Sequence, residues 1–225
     1  MVATTSGTTT FSLDVDEIIE QALEPLGGEH QSGIDAEKAR RTLNLVLIML
    51  QNKEIPLSKL EFTTQTITSG TAAYVLNTNI VDVLDCSVVS DSTDLSLERL
   101  SIRSYQDFPK KATSGRPTLF MTQRNKDAVT MTMWPVPDAT YTTKLLVSKK
   151  IEDITASYQK IDINTRYLPL LIAWLSYELS KSKSGIEEVV KARLEKDYKE
   201  LLPDTFEEDR ERTDDRLVPG GICGR

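Results

Sequence analysis

At 225 residues the chain has room for one domain or two small ones, and a chain of this size buries roughly 70% of its unfolded surface. Apolar residues make up 39% and charged residues 27%, a balance that excludes wholesale disorder. The net charge of -7 disfavours tight, sequence-independent binding of nucleic acid, which depends on Lys and Arg neutralising phosphates.

The chain begins with a Thr-rich stretch that has neither the basic nor the apolar region of a secretory signal, so residues 1–12 read as a polar arm made in the cytoplasm. Residues 14–26 carry Val15, Ile18, Ile19, Ala22, Leu23 and Leu26 at helical spacing, with acidic residues on the opposite face. Asp14 followed by Glu17 is a capping-box pattern, Leu13 and Ile18 are placed as a hydrophobic staple, and Gly27-Gly28 stops the helix. A second helix is expected over 35–53. Its stripe of Ala39, Leu43, Val46, Leu47 and Leu50 is widened by Leu45, Ile48 and Met49, and a stripe that broad predicts more than one neighbour.

From 61 to 150 the period becomes alternating, with Thr, Val, Ile and Tyr enriched and turn residues recurring. Strands are expected near 62–68, 72–76, 81–90, 95–100, 117–123, 128–134 and 141–149. Ser69-Gly70 and Arg124-Asn125-Lys126-Asp127 read as hairpin turns. Pro135 and Pro137 cannot donate ladder hydrogen bonds and so end a strand or mark an edge. Ser104 to Phe108 is expected to make one helical turn.

Helical spacing returns over 164–183, where Tyr167, Leu168, Leu171, Ile172, Trp174, Leu175 and Leu179 cover most of the circumference. A last helix follows Gly185, with Ile186, Val190, Leu194, Tyr198 and Leu201 as its stripe and Glu187-Lys191, Lys191-Glu195 and Glu195-Lys199 as i, i+4 pairs. Pro203 is expected to interrupt or end it. The charged stretch over 204–225 holds too little apolar surface to offset its own ordering entropy.

Little in the chain points to catalysis. Cys86 and Cys223 lie far apart, in neither a disulfide framework nor metal-ligand spacing, and His30 is the single histidine. The chain has no phosphate loop, no nucleophile elbow and no H-E-x-x-H helix. No cofactor or metal is therefore expected. Apolar runs such as 45–50 and 168–175 fall short of the ~20 residues that span a bilayer, so no membrane partner is expected either. The basic pairs Arg40-Arg41, Lys110-Lys111 and Lys149-Lys150 suit contact with DNA or an acidic partner, and equally suit a solvated surface. Trp134 and Trp174 suit either an interface anchor or core packing.

A series of short words occurs in one order along the chain. It runs from Asp16-Glu17-Ile18-Ile19-Glu20-Gln21-Ala22-Leu23 through Ala39-Arg40-Arg41-Thr42-Leu43 to Ser69-Gly70-Thr71-Ala72-Ala73-Tyr74-Val75-Leu76 and Val81-Asp82-Val83-Leu84-Asp85. Tyr105-Gln106-Asp107-Phe108-Pro109-Lys110-Lys111, Gly115-Arg116-Pro117-Thr118, Trp134-Pro135-Val136-Pro137-Asp138 and Tyr167-Leu168-Pro169-Leu170-Leu171 follow. Taken together they resemble the head-to-tail adaptor (head completion, tail accessory factor) proteins of short-tailed bacteriophages. The chain departs from that pattern at Asn52-Lys53-Glu54-Ile55-Pro56, where members often carry aromatics.

The resemblance implies an α+β fold in which long N- and C-terminal helices form a helical bundle, with an inserted antiparallel β domain and an extended C-terminal tail. The expected divisions are an arm over 1–12, a bundle from 13–60 and 160–203, a β-rich insert over 61–159 and a portal-docking tail over 204–225. It further implies a non-enzymatic virion protein of the neck. Such proteins form a homo-oligomeric ring of about twelve copies, with the portal protein above, a tail nozzle or tube protein below, and packaged double-stranded DNA passing through without specific binding. Portal contact is expected at Phe206, Arg210, Arg212, Leu217, Val218 and Ile222. Two alternatives stay open, a tail-associated peptidoglycan hydrolase and a neck protein of a long-tailed phage.

Overall fold

The capping box read at Asp14 forms: its carboxylate accepts from the Glu17 N–H at 3.0 Å while the Glu17 carboxylate accepts from the Asp14 N–H at 2.9 Å. This reciprocal pair opens helix α1 (Val15–Leu23) in the computed structural model, which describes residues 11–27, 33–53, 59–90 and 92–209. Val15, Ile18, Ile19 and Ala22 face inward as their spacing demands. A 3-10 turn (Glu24–Leu26) follows, and Gly27, at φ 60°, closes it by donating its N–H to the Glu24 carbonyl.

Helix α2 (Gly33–Lys53) begins two residues before the expected start. Ala39, Leu43, Val46, Leu47 and Leu50 are buried, but Leu45, Ile48 and Met49 stay 54%, 52% and 37% exposed. The broad stripe is therefore covered on one side only within the chain.

Seven long or short strands were expected, and the alternating region folds into two four-stranded sheets. The strands are β1 (Leu60–Ile67), β2 (Ala73–Val75), β3 (Ile80–Ser90), β4 (Thr93–Ser96), β5 (Glu98–Leu100), β6 (Ser114–Gly115), β7 (Leu119–Arg124), β8 (Val129–Trp134), β9 (Val136–Pro137) and β10 (Tyr141–Lys149). One sheet has the order β1-β10-β3-β4 and the other β2-β8-β7-β5, while β6 and β9 form a separate pair. Ile67, Val83, Cys86, Val88, Leu145 and Val147 from the first sheet meet Phe120, Val129, Met131 and Met133 from the second. The alternation read in the sequence is what puts each of these sets on one face.

Three expectations are corrected here. Ser69-Gly70 is a turn, yet it joins no hairpin, because β1 pairs with β10 and β2 with β8. The chain crosses between sheets at this point, and the Tyr74 hydroxyl ties the crossing by donating to the Thr71 carbonyl at 2.6 Å and accepting from the Thr68 N–H at 3.0 Å. The single strand expected over 95–100 divides at buried Leu97, whose N–H donates to the Cys86 carbonyl at 2.8 Å as the chain passes from β4 in one sheet to β5 in the other. The sheets are also not wholly antiparallel. β5 and β7 pair in parallel because the segment holding the short helix α3 (Ile102–Gln106) supplies a crossover connection instead of a tight turn, and β6 and β9 also pair in parallel, with β7 and β8 as the intervening connection. By contrast, the Arg124-to-Asp127 turn does join an antiparallel pair, β7 with β8.

After β10, residues 150–162 run back along α2. The Asn44 side chain both donates to the Ile154 carbonyl (3.0 Å) and accepts from the Ile154 N–H (2.9 Å), and the Gln51 amide donates to the Lys149 carbonyl at 2.7 Å. Helix α4 (Leu168–Ser182) is entered through a 3-10 turn (Thr165–Tyr167) capped by Asn164. Helix α5 (Glu188–Glu208) contains Pro203 without ending there. The proline is exposed, while Leu201, Leu202 and Phe206 on either side of it pack against the helical core. That packing holds the helix through a position that has lost one backbone donor. The four long helices share this core, where Trp174 and Tyr198 stack with centroids 5.5 Å apart. Of the expected ion pairs on α5, Lys199 meets Glu195 at 2.6 Å, but Lys191 meets Glu188 instead of Glu187.

Candidate protein interface

The helical core meets the β-sandwich at a cleft of about 730 Å³ between the end of α2, the start of β3 and the segment after β10. Ile48, Gln51, Lys53, Asp82, Arg124 and Ile151 are among its lining residues. Asp82 organises this junction. Its buried carboxylate takes hydrogen bonds from Arg99 at 2.9 and 3.0 Å, from Arg124, and from the Thr122 hydroxyl at 3.2 Å, which itself accepts from Arg99 at 2.8 Å. The four residues come from β3, β5 and β7, so the cluster pins one sheet to the other. Burial works to raise the Asp82 pKa, but the bonds from Arg124 and Arg99 prevail and hold it below the usual carboxylate range.

A glycosidase's general acid needs the opposite displacement. The other displaced carboxylates, Glu37 beside Arg41 and Glu195 beside Lys199, are also lowered, each chiefly by the hydrogen bond from its cationic partner. Among the described residues, no group of three or more His, Cys, Asp or Glu side chains is arranged to hold a metal. No helix among the described residues is long and apolar enough to cross a membrane. Burial pushes the Cys86 thiol up to about 12, which removes it as a nucleophile.

Apolar surface, in contrast, is plentiful. Leu45, Ile48 and Met49 form a row on the uncovered side of α2, with Ile48 at the rim of the junction cleft. At another surface Trp134 stacks on Phe108 with centroids 4.4 Å apart and planes 3° from parallel, and Tyr105 meets Phe108 edge-on. The Lys111 ammonium sits over Tyr105 at 5.7 Å. Three of the words that carry the sequence resemblance, Tyr105 to Lys111, Gly115 to Thr118 and Trp134 to Asp138, converge here, where the Trp134 indole N–H donates to the Lys110 carbonyl at 3.3 Å and β6 pairs with β9. Trp174 is buried in the helical core and packs there.

Of the residues expected to contact a portal, Phe206 lies on α5, partly buried against the helical core. Arg210, Arg212, Leu217, Val218 and Ile222 lie outside the described residues. The last described position, Asp209, is anchored: it accepts from the Tyr167 hydroxyl at 2.8 Å, and Arg166 donates to the neighbouring Glu208 carbonyl at 2.9 Å. The first residues of the expected tail, 204–208, are thus helix, because Phe206 finds a place in the core. One member of each basic pair is engaged within the chain, Arg41 by Glu37, Lys111 by the Gln106 and Phe108 carbonyls, and Lys149 by Glu61.

The Asp82 cluster escaped the sequence reading. One signal was available, since an acidic residue inside the apolar run Val81-Asp82-Val83-Leu84 must find a cation if it faces inward, but Arg99 and Arg124 are identifiable as that cation only once the two sheets are stacked.

A family model described as SU10 adaptor protein matches residues 3–220 of the chain. No curated protein matches it.

Proposed function

This chain belongs to the SU10 adaptor protein family of phage head-to-tail adaptors, and from that membership we propose that it assembles as a closed ring of about twelve copies beneath the portal. The ring seals the packaged head, continues the DNA channel and gives the tail nozzle or tube its platform. The match over residues 3–220 carries this reading, because it takes in both the helical elements and the inserted sheets. The role is structural, and the work is done by interfaces rather than by a reaction.

Two features support particular interfaces. The row of Leu45, Ile48 and Met49 suits the contact between neighbouring copies, since each repeat of a heterologous ring contact buries such a row against a different patch of the next subunit. The anchored end of α5 at Asp209 suits a fixed departure point for a portal-binding segment over 210–225, with Leu217, Val218 and Ile222 entering portal grooves and Arg210 and Arg212 at their rims. The net charge of -7 suits a wall past which DNA must slide without being held.

Mass photometry of the purified chain, alone and mixed with the portal ring of the same phage, tests the reading. A stable complex with about one copy per portal subunit is the expected result. No mass shift at micromolar concentration overturns it.

A further inference from the structure

Tyr158 is 82% exposed, yet the turn that carries it is firmly held. The Gln159 side-chain oxygen accepts from the Thr155 N–H at 2.8 Å and from the Ala156 N–H at 3.0 Å. The Ser157 and Gln159 carbonyls, on either side of Tyr158, accept from the Asp16 and Val15 N–H groups at 3.2 and 3.0 Å. The turn is thus fastened to the start of α1, while the phenol at its tip is left to solvent. An aromatic side chain has two torsions to fix, and on a turn already ordered it gives up little entropy when it docks. Beside it, α1 turns Asp16, Glu17 and Glu20 outward; the helix holds no Lys or Arg, and these three carboxylates form no ion pair among the described residues.

The junction cleft has the complementary character. Its volume of about 730 Å³ has ample room for an aromatic side chain, and Ile48 and Ile151 give it apolar walls. The lining cations Lys53, Arg124 and Lys150 outnumber the carboxylates Asp82 and Asp153. Asp82 is already taken by Arg99 and Arg124. Lys53, whose ammonium lies over the Trp174 ring at 5.9 Å, and Lys150 form no ion pair among the described residues. The Tyr158 turn and the cleft do not meet within one chain. Arg40 donates to the Thr155 carbonyl at 3.4 Å, whereas Gln51, eleven residues further along α2, donates to the Lys149 carbonyl and lines the cleft. Eleven helical residues span about 17 Å, so the turn stands toward the opposite end of α2 from the recess.

Resting on the ring reading above, we propose that the Tyr158 turn of one copy enters the junction cleft of the next, with the phenol against Ile48 and Ile151 and with Asp16 and Glu20 toward Lys53 and Lys150. Knob and recess lie at different places on the chain, so the contact is heterologous and repeats from copy to copy, as closure into a ring requires. A desolvated aromatic anchor supplies most of the affinity of such a contact, and the opposed charges around it fix its register. The apolar row on α2 thereby acquires a specific mate.

Cross-linking tests the contact. Asn52→Cys at the rim of the cleft and Ser157→Cys beside Tyr158 are placed in Cys223→Ser protein, in which Cys86 is buried. Mixed with the portal ring of the same phage and treated with a short bis-maleimide, the double variant is expected to give a ladder of three and more linked chains on a denaturing gel, and each single variant only the single chain. Adding Tyr158→Ala, a change at an exposed position, is expected to raise the concentration for a half-maximal ladder by about tenfold or more. A smaller rise, a portal complex that yields no ladder, a link confined to one chain, or a linked pair from either single variant overturns the contact and leaves the ring reading in place. Absence of any complex with the portal overturns the ring reading and the contact with it.

Discussion

Replacing Asp82 by Asn tests the central claim about how the β insert is held together. The carboxylate is buried, and Arg99, Arg124 and Thr122 converge on it from the opposite sheet. Breaking a buried ion pair by removing one partner costs about 3–5 kcal/mol when the surviving charge is left without solvent. Here the arginine side chains are 38% and 63% exposed, so water takes back part of their charge and the expected loss is smaller, about 2–3 kcal/mol at neutral pH. For a chain of this size that is a fall in Tm of about 4–12 °C, read by circular dichroism and by urea titration of both proteins. The pH dependence adds a second check. Because the folded pKa of Asp82 lies below the unfolded value, its contribution is complete above the unfolded carboxylate range near ~4 and disappears as pH falls through the lower folded value. The gap between wild type and Asp82→Asn must therefore shrink on acidification. A gap below about 0.5 kcal/mol at neutral pH, or one that does not narrow in acid, refutes the claim that this cluster joins the sheets.

Ile48→Asp sits on exposed surface and is expected to change stability by no more than about 0.5 kcal/mol while abolishing self-association and the portal complex in mass photometry; unaltered assembly removes the row on α2 from the ring contact. A truncation after Asp209 is expected to keep the wild-type Tm and lose portal binding, whereas one after Pro203 also removes Phe206 and the Tyr167–Asp209 hydrogen bond and melts earlier, so equal melting of the two truncations counts against the anchoring of α5. In a Cys223→Ser background, Cys86, buried and with its thiol pushed up to about 12, is expected to resist iodoacetamide at pH 8 in the folded protein and react on unfolding; labelling of the folded protein contradicts its burial.

The elements most legible in the sequence are those where one local rule decides the outcome. Asp14 and Glu17 cap α1 because the bond-forming groups are three residues apart in the chain. β10 occupies 141–149, the span read from alternation, because one face of it is buried along its whole length. Leu45, Ile48 and Met49 were legible as apolar but not as exposed, since helical spacing alone does not say which flank of the stripe a neighbouring element reaches. Pro203 misled because local backbone preference was weighed without the packing of Leu201, Leu202 and Phe206 around it.

What the sequence determined by itself, then, is where the chain is helical, where it is extended and which residues face inward, since propensity, capping and hydrophobic period act over a few neighbouring positions. It also carried the ordered words that place the chain among head-to-tail adaptors. Apart from the β7–β8 hairpin, which strands pair was decided only by the tertiary structure. Ser69-Gly70 reads the same whether it closes a hairpin or crosses between sheets, and β5 meets β7 in parallel only because α3 intervenes. The Asp82 cluster depends on contacts spanning 17 to 42 positions of chain, and such contacts exist only when two sheets, each satisfactory by its own local rules, stack with their apolar faces together.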